Sequence, residues 1–171
     1  MQSSEIQHLF SDVLSPDKLI ANAPMRDYTT FKIGGPADLL ALPETEDEIR
    51  ELIKRAKENN IKFYILGNGS NTLVKDGGIR GLVIYINSQF NKVSFDGELL
   101  TAQAGITMSA LAKSAMCAEL AGLEFASGIP GTIGGGVYMN AGAYNGEIGD
   151  LVHSVTVLDE NLEIKTYNKD K

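Results

Sequence analysis

Two glycine-rich segments hold the residues best suited to chemistry: Leu66-Gly67-Asn68-Gly69-Ser70-Asn71, and Ser127-Gly128-Ile129-Pro130-Gly131-Thr132-Ile133-Gly134-Gly135-Gly136. Glycine reaches positive φ and leaves main-chain N–H groups unshielded, so a ligand can approach the backbone closely. Successive bare amides form a concave nest for an anion, and a helix opening behind one adds the positive end of its dipole. Two such segments about sixty positions apart predict backbone wrapped around a large phosphorylated ligand. A tight turn at the first, and a glycine-tolerant helix contact at the second, are the purely structural alternatives.

The first segment is not the dinucleotide fingerprint, which needs a third glycine three positions after the second, a helix behind it and an acidic residue further on. Thr72-Leu73-Val74 reads instead as extended chain. A Walker loop is excluded because Gly-Lys-Ser/Thr occurs nowhere. What is left is a strand-loop-strand nest with Ser70 and Asn71 as side-chain donors. In the second segment Pro130 fixes a bend. Each of Gly134, Gly135 and Gly136 costs a helix about 1 kcal/mol relative to alanine. Three in succession fit a helix whose backbone meets something at close range. Asn140-Ala141-Gly142-Ala143-Tyr144 adds an amide and a phenol nearby.

The elements that position these segments follow from pattern. Ser4 with Gln7 predicts a capping box and a helix to about Leu14. Residues 22–31 read as extended, Gly34-Gly35-Pro36 as a turn, and 37–42 as a strand. Thr45 and Glu48 form a second capping box. Ile49, Leu52, Ile53 and Ala56 recur at helical spacing, with Asn60 near the C-terminal cap. A strand over 61–66 then enters the first glycine loop. Residues 82–86 form another strand, and Asp96-Gly97 turns a hairpin between 92–95 and 98–102. Thr107 caps a helix with Leu111, Ala112, Ala115, Met116 and Leu120 on its apolar face, stopping at Gly122. A short helix over 132–139 and a final hairpin from 151–158 and 162–167 complete a mixed α+β pattern.

Composition narrows the function classes. The chain has 171 residues, 43% hydrophobic and 22% charged, which fits one domain or two small subdomains. A formal charge of −7 and a pI near 4.8 argue against nucleic acid as partner. Lys54, Arg55 and Lys57, interrupted by Glu51, read as a solvated helix face. The single cysteine, Cys117, cannot build a disulfide framework and reads as a buried thiol in a reducing compartment. No run has membrane-span length and no signal-peptide pattern opens the chain, so a cytoplasmic protein with no membrane partner is expected. No His, Cys or carboxylate cluster has metal-ligand spacing.

Four stretches carry a resemblance. Residues Tyr28-Thr29-Thr30-Phe31-Lys32-Ile33-Gly34-Gly35-Pro36-Ala37, the 66–71 loop, Gly128-Ile129-Pro130-Gly131-Thr132-Ile133-Gly134-Gly135, and Asn140-Ala141-Gly142-Ala143-Tyr144 stand in the order and spacing of the UDP-N-acetylenolpyruvoylglucosamine reductases. The chain closely resembles that family from about Leu19 onward. The resemblance implies an FAD-binding region of the p-cresol methylhydroxylase and vanillyl-alcohol oxidase type, with two α+β subdomains and the cofactor between them. The implied division is a lead-in helix over 1–18, a first subdomain over 19–80, and a second over 81–171, incomplete at its C-terminal side.

By the same resemblance, Gly67, Asn68, Gly69, Ser70, Asn71 and Thr72 hold the FAD pyrophosphate. Gly128, Ile129, Pro130, Gly131, Thr132, Gly134 and Gly135 run along diphosphate and flavin. Asn140, Ala141, Gly142 and Tyr144 line the same cleft. The family reduces the enolpyruvyl ether of UDP-N-acetylglucosamine to UDP-N-acetylmuramate for peptidoglycan, with NADPH as co-substrate. FAD is expected to be non-covalent, since neither His8 nor His153 adjoins a glycine nest.

Two departures stand beside the match. The family's Tyr-Arg-x-Ser motif and its later catalytic serine and glutamate do not occur by Lys171. No catalytic residue is therefore assigned, the substrate domain is expected to lie outside these residues, and these residues alone are expected to be inactive. Asn145 stands where the family carries glycine, and asparagine tolerates the left-handed region. A flavin-dependent carbohydrate or alcohol oxidase of the same fold, or a non-catalytic flavin-binding module, are the competing readings.

Overall fold

The computed structural model describes residues 3–169. A first lobe is built on a four-stranded sheet of β1 (Leu19–Pro24), β2 (Pro36–Ala41), β3 (Phe63–Leu66) and β4 (Ile79–Tyr85), in the order β1-β2-β4-β3. β1 is antiparallel to β2, whereas β2, β4 and β3 run parallel. The two central strands are the apolar runs: Leu39, Leu40 and Ala41 of β2, and Leu82, Val83 and Ile84 of β4, are fully buried. That is the pattern of strands covered on both faces.

One face carries Leu39, Ala41, Leu82 and Ile84 against α1 (Ser3–Leu9) and α2 (Glu46–Glu58), through Ile6, Phe10, Leu52, Ile53 and Ala56. The other carries Leu40 and Val83 against Met25, Leu66 and Val74. Ala37 joins this second face, although simple alternation would group it with Leu39. The register shift at this point puts its extra residue on β4, where Ile79 pairs with Ala37 and Leu82 with Leu39.

The second half has a hairpin of β5 (Val93–Asp96) and β6 (Leu99–Ala102), then α3 (Met108–Cys117) and α4 (Ile133–Tyr138). A hairpin of β7 (Gly142–Ala143) and β8 (Gly146–Glu147) leads to α5 (Ile148–Leu151), and β9 (Ser154–Leu158) pairs with β10 (Ile164–Asn168). Met108, Ala112, Ala126 and Ile148 form its small core, with Ile129, Ile133 and Val137 against them.

Thr45 and Glu48 make the expected capping box: the Thr45 hydroxyl accepts from Glu48 N–H, and the Glu48 carboxylate accepts from Thr45 N–H. The box at Ser4 does not form. Ser4 lies inside α1, and the Gln7 side chain instead donates to Leu19 C=O across to β1. The first helix stops at Leu9, before the expected Leu14, although Leu14 is still buried in the core. Within the described part of residues 1–18, Ile6, Phe10 and Leu14 pack in the first lobe's core. The boundary between 80 and 81 falls inside β4, so that lobe runs at least to Tyr85.

The extended reading of 22–31 holds only to Pro24, where a 3-10 turn over Met25–Asp27 begins. Thr72-Leu73-Val74 makes no strand. The β5–β6 loop is Gly97-Glu98, one position later than expected, with Gly97 at φ +57°. Leu151 ends α5 rather than opening β9. Met116 is 67% exposed and Cys117 is also exposed, so neither belongs to the core. Gly122 does not stop α3. The helix closes at Glu119, which takes φ +57° while Leu120 N–H donates to Ala115 C=O in a Schellman arrangement.

Candidate functional site

The two glycine segments meet. A Cβ built on Gly67 would lie 2.4 Å from the Thr132 Oγ1, and one on Gly131 would lie 3.1 Å from the Ser70 Oγ. The first loop leaves the carboxyl end of β3, and its Gly69, at φ +62°, is pressed against the chain at Tyr28: a Cβ there would stand 2.2 Å from the Tyr28 carbonyl oxygen. Thr30 N–H donates to Gly69 C=O, and Gly35 N–H to Lys75 C=O. The 28–36 stretch therefore runs behind the loop and fixes it. No residue type in that stretch marks it as part of the site; its role comes from the close approach of its backbone at Tyr28 and Thr29 to Gly69.

The first loop has the donors of a nest. Among the described residues, the main-chain N–H groups of Gly67, Asn68, Gly69, Ser70, Asn71 and Thr72 donate to no acceptor. The N–H groups of Gly131 and Thr132 are likewise free of partners among those residues. Six successive unbonded amides, with Asn68 and Asn71 at the surface, suit an anionic group of several oxygens. No acidic side chain lies within the loop. Tyr28, whose carbonyl backs Gly69, meets Tyr85 edge to face at 5.3 Å, and burial pushes both phenols above their ordinary pKa. They stay neutral at physiological pH.

The triple glycine corrects the sequence reading. Its amides are not bare: Gly134 N–H donates to Ala104 C=O, Gly135 N–H to the Thr132 hydroxyl and Gly136 N–H to Thr132 C=O. Gly134 has no room for a side chain because a Cβ would come 2.7 Å from that of Ala104, and Gly136 faces Met108 Sδ at 2.9 Å. Two of the three are there for packing inside the protein. Gly135, whose nearest neighbour would be 3.6 Å away, and Gly128, with nothing within 4 Å, have no such reason.

Thr132, 4% exposed, caps α4 and continues it from an isolated bridge to Thr107, flanked by Met108 N–H to Gly131 C=O and Ile133 N–H to Ile106 C=O. The segment is thereby seated on the 104–108 connection, whose carbonyls sequence reasoning did not connect with it. Asn140 ends α4 at φ +45° in a Schellman arrangement, and its side-chain oxygen accepts from Gly149 N–H. Its amide thus anchors α5. Tyr144 and Asn145, both at positive φ, make a two-residue type I′ loop between β7 and β8, so asparagine does replace glycine there. The Tyr144 ring is 91% exposed.

The residues present fit a flavin dinucleotide. A row of free amides suits the diphosphate of such a group, and a Cβ built on Gly128 would meet nothing of the chain. Residues 37–167 match the model of a family described as FAD binding domain. The chain belongs to that family.

Curated relatives narrow the kinship. The chain is 49% identical over 155 residues to UDP-N-acetylenolpyruvoylglucosamine reductase of Alkaliphilus oremlandii, covering 91% of the chain and 51% of that protein. It is 46% identical to the enzyme of the same name from Clostridium novyi, over 100% of the chain and 55% of that protein. This FAD binding domain thus spans about half the length of the curated relatives it matches. Among solved structures it is similar to UDP-N-acetylenolpyruvylglucosamine reductase from Thermus caldophilus, with TM-score 0.72 and 34% identity over 89% of the chain and 52% of the other. An alkyldihydroxyacetonephosphate synthase, at TM-score 0.71 and 20% identity over 98% of the chain and 38% of that structure, shares the fold.

Proposed function

We propose that this FAD binding domain holds non-covalent FAD for an NADPH-dependent reduction of UDP-N-acetylglucosamine enolpyruvate to UDP-N-acetylmuramate. The observation that carries the reading is the junction of the 67–72 loop with Gly131 and Thr132, where the free main-chain donors gather. Relatives named for this reductase, at 43–49% identity, support the substrate class. FAD, when bound, supplies the hydride chemistry, and the protein supplies binding and placement.

In this reading the amides of residues 67–72 bind the diphosphate, with the Ser70 hydroxyl and the Asn71 amide beside them. Gly128, Ile129, Pro130 and Gly131 let the cofactor pass close to main chain, and Gly135 leaves one open face on α4. Gly134 and the Thr132 hydroxyl hold that helix in place, which leaves the Thr132 N–H among the free donors beside the loop. Ala141, Gly142 and Tyr144 flank the same side, with Asn140 fixing the turn. A cytoplasmic location and the absence of nucleic-acid partners belong to the same proposal, supported by the acidic charge and by the lack, among the described residues, of any helix long and apolar enough to cross a membrane.

The test is reconstitution. Protein refolded with FAD and passed through a desalting column should keep flavin absorption, and in the full-length protein NADPH should bleach it anaerobically. A protein that emerges colourless overturns the cofactor assignment. Flavin that is retained but reduced by a sugar or alcohol, and not by NADPH, points instead to an oxidase. These 171 residues by themselves are proposed to bind FAD without turnover; substrate-dependent NADPH oxidation by them would refute that.

A further inference from the structure

The turn joining β9 to β10 is built as a plug. Asp159 Oδ1 accepts from the N–H groups of Asn161 and Glu163, both at 2.9 Å, and its other oxygen pairs with the Lys165 ammonium. This knot presents Leu162 at φ +64°, a conformation that a branched side chain adopts only against a steric penalty. What offsets it lies in the first lobe. Leu162 and Leu158 pack on the core containing Leu52, Ile53 and Ala56 of α2. Arg50 Nε donates to Leu162 C=O at 3.2 Å, and Lys57 Nζ donates to Glu160 C=O. The tip of a second-half hairpin is thus held at two points of α2, Arg50 and Lys57, about two turns apart.

The root of the same hairpin reaches the candidate site. Lys169 N–H donates to His153 C=O, closing the base, and the Lys169 ammonium donates to Asp150 C=O in α5. Next to it, Gly149 N–H is held by Asn140. Five paired positions, about 14 Å from first to last at the usual rise of a strand, separate the turn held on α2 from the hairpin's base at His153 and Lys169. An isolated two-stranded ribbon is marginal in water. Here its two ends are fixed on different lobes.

We propose that the β9–β10 hairpin is an interlobe strap, latched on α2 by residues 159–162, and that the latch sets how far the 140–144 segment stands from the 67–72 loop. Arg50, Leu162 and Asp159 are positioning residues that touch no ligand. The part of the proposal that concerns cofactor affinity rests on the FAD reading; the geometric part does not.

The test separates the two. In the full-length protein with Cys117→Ser, spin labels at Asp76→Cys and Glu147→Cys report the distance between lobes, while hydrogen exchange at 159–163 reports release of the latch. Arg50→Ala combined with Leu162→Gly, and separately Asp159→Asn, should raise exchange at the turn and broaden the distance distribution. If FAD binds, its affinity should fall about tenfold, the equivalent of about 1.4 kcal/mol. A turn that exchanges freely while the distance distribution stays narrow overturns the strap. Unchanged FAD affinity despite a broadened distribution overturns the link to the site. Failure of the unmodified protein to bind FAD sinks only the cofactor reading, because the distance measurement still decides the strap.

Discussion

Single glycines divide into those the protein needs and those it does not. Gly69→Ala places a Cβ 2.2 Å from a backbone oxygen at a positive φ, so it should unfold the loop and lower global stability by more than about 2 kcal/mol. Gly128→Ala meets nothing within 4 Å and should leave the urea midpoint unchanged while weakening FAD binding. Equal affinity in Gly128→Ala and wild type would remove that position from the site. Tyr144 makes the opposite point: its ring is exposed while its backbone is left-handed, so Tyr144→Asn should gain about 1 kcal/mol in chemical denaturation. A simultaneous loss of flavin affinity would mark the ring as a ligand contact. At this scale the glycine positions were readable from sequence, but their reasons were not. Gly134 and Gly136 look identical to Gly135 in a sequence, and only the neighbours Ala104 and Met108 separate them.

The helices were legible wherever a side chain signs their ends. Thr45 and Thr107 each cap as their positions foretold, and Thr132, read as the first residue of its helix, is that helix's cap. The stop of α3 was not, because Glu119 takes a conformation that composition assigns to glycine, and Gly122 drew the reading three residues too far. The N-terminal segment was misread as an appendage since its docking depends on a partner distant in sequence. Arg55 pairs with Asp12 and also donates to Leu9 C=O, tying the end of α1 to α2. The guanidinium hydrogen bond, helped by a backbone N–H, holds the Asp12 carboxyl below its ordinary pKa. A folded-state pKa below the unfolded one stabilises the protein above the ordinary carboxylate value of about 3.9, and this contribution is lost as pH falls through the depressed value. Asp12→Asn should therefore be less stable than wild type at pH 7, with the gap closing in acid. Urea midpoints that differ equally at pH 7 and pH 3 would contradict the pairing.

Across the whole molecule, the mixed α+β class and the convergence of the glycine segments could be read in advance, whereas the division of the chain could not. The cut at 80/81 failed because β4 pairs between two earlier strands, and pairing partners leave no local mark in a sequence. The second half carries apolar side chains on its narrow ribbons: Phe95 and Leu99 on β5 and β6, Ile164 and Tyr167 on β10, each about half exposed. Such edges invite self-association. These 171 residues expressed alone should show concentration-dependent mass in sedimentation, reduced by Ile164→Lys with Tyr167→Lys at unchanged melting temperature. A strictly monomeric species at high concentration would count against this.

The insertion of β4 between β2 and β3 also dictates an order of events. Strands β2 and β3 are made first, yet they stand about 10 Å apart, two strand spacings, and cannot zip together. Their slot stays open until residues 79–85 leave the ribosome and thread into it. The 67–72 loop is the bend by which the chain sets out to fill that slot. During synthesis it takes shape only when the sheet closes, so the proposed diphosphate site is assembled no earlier than β4.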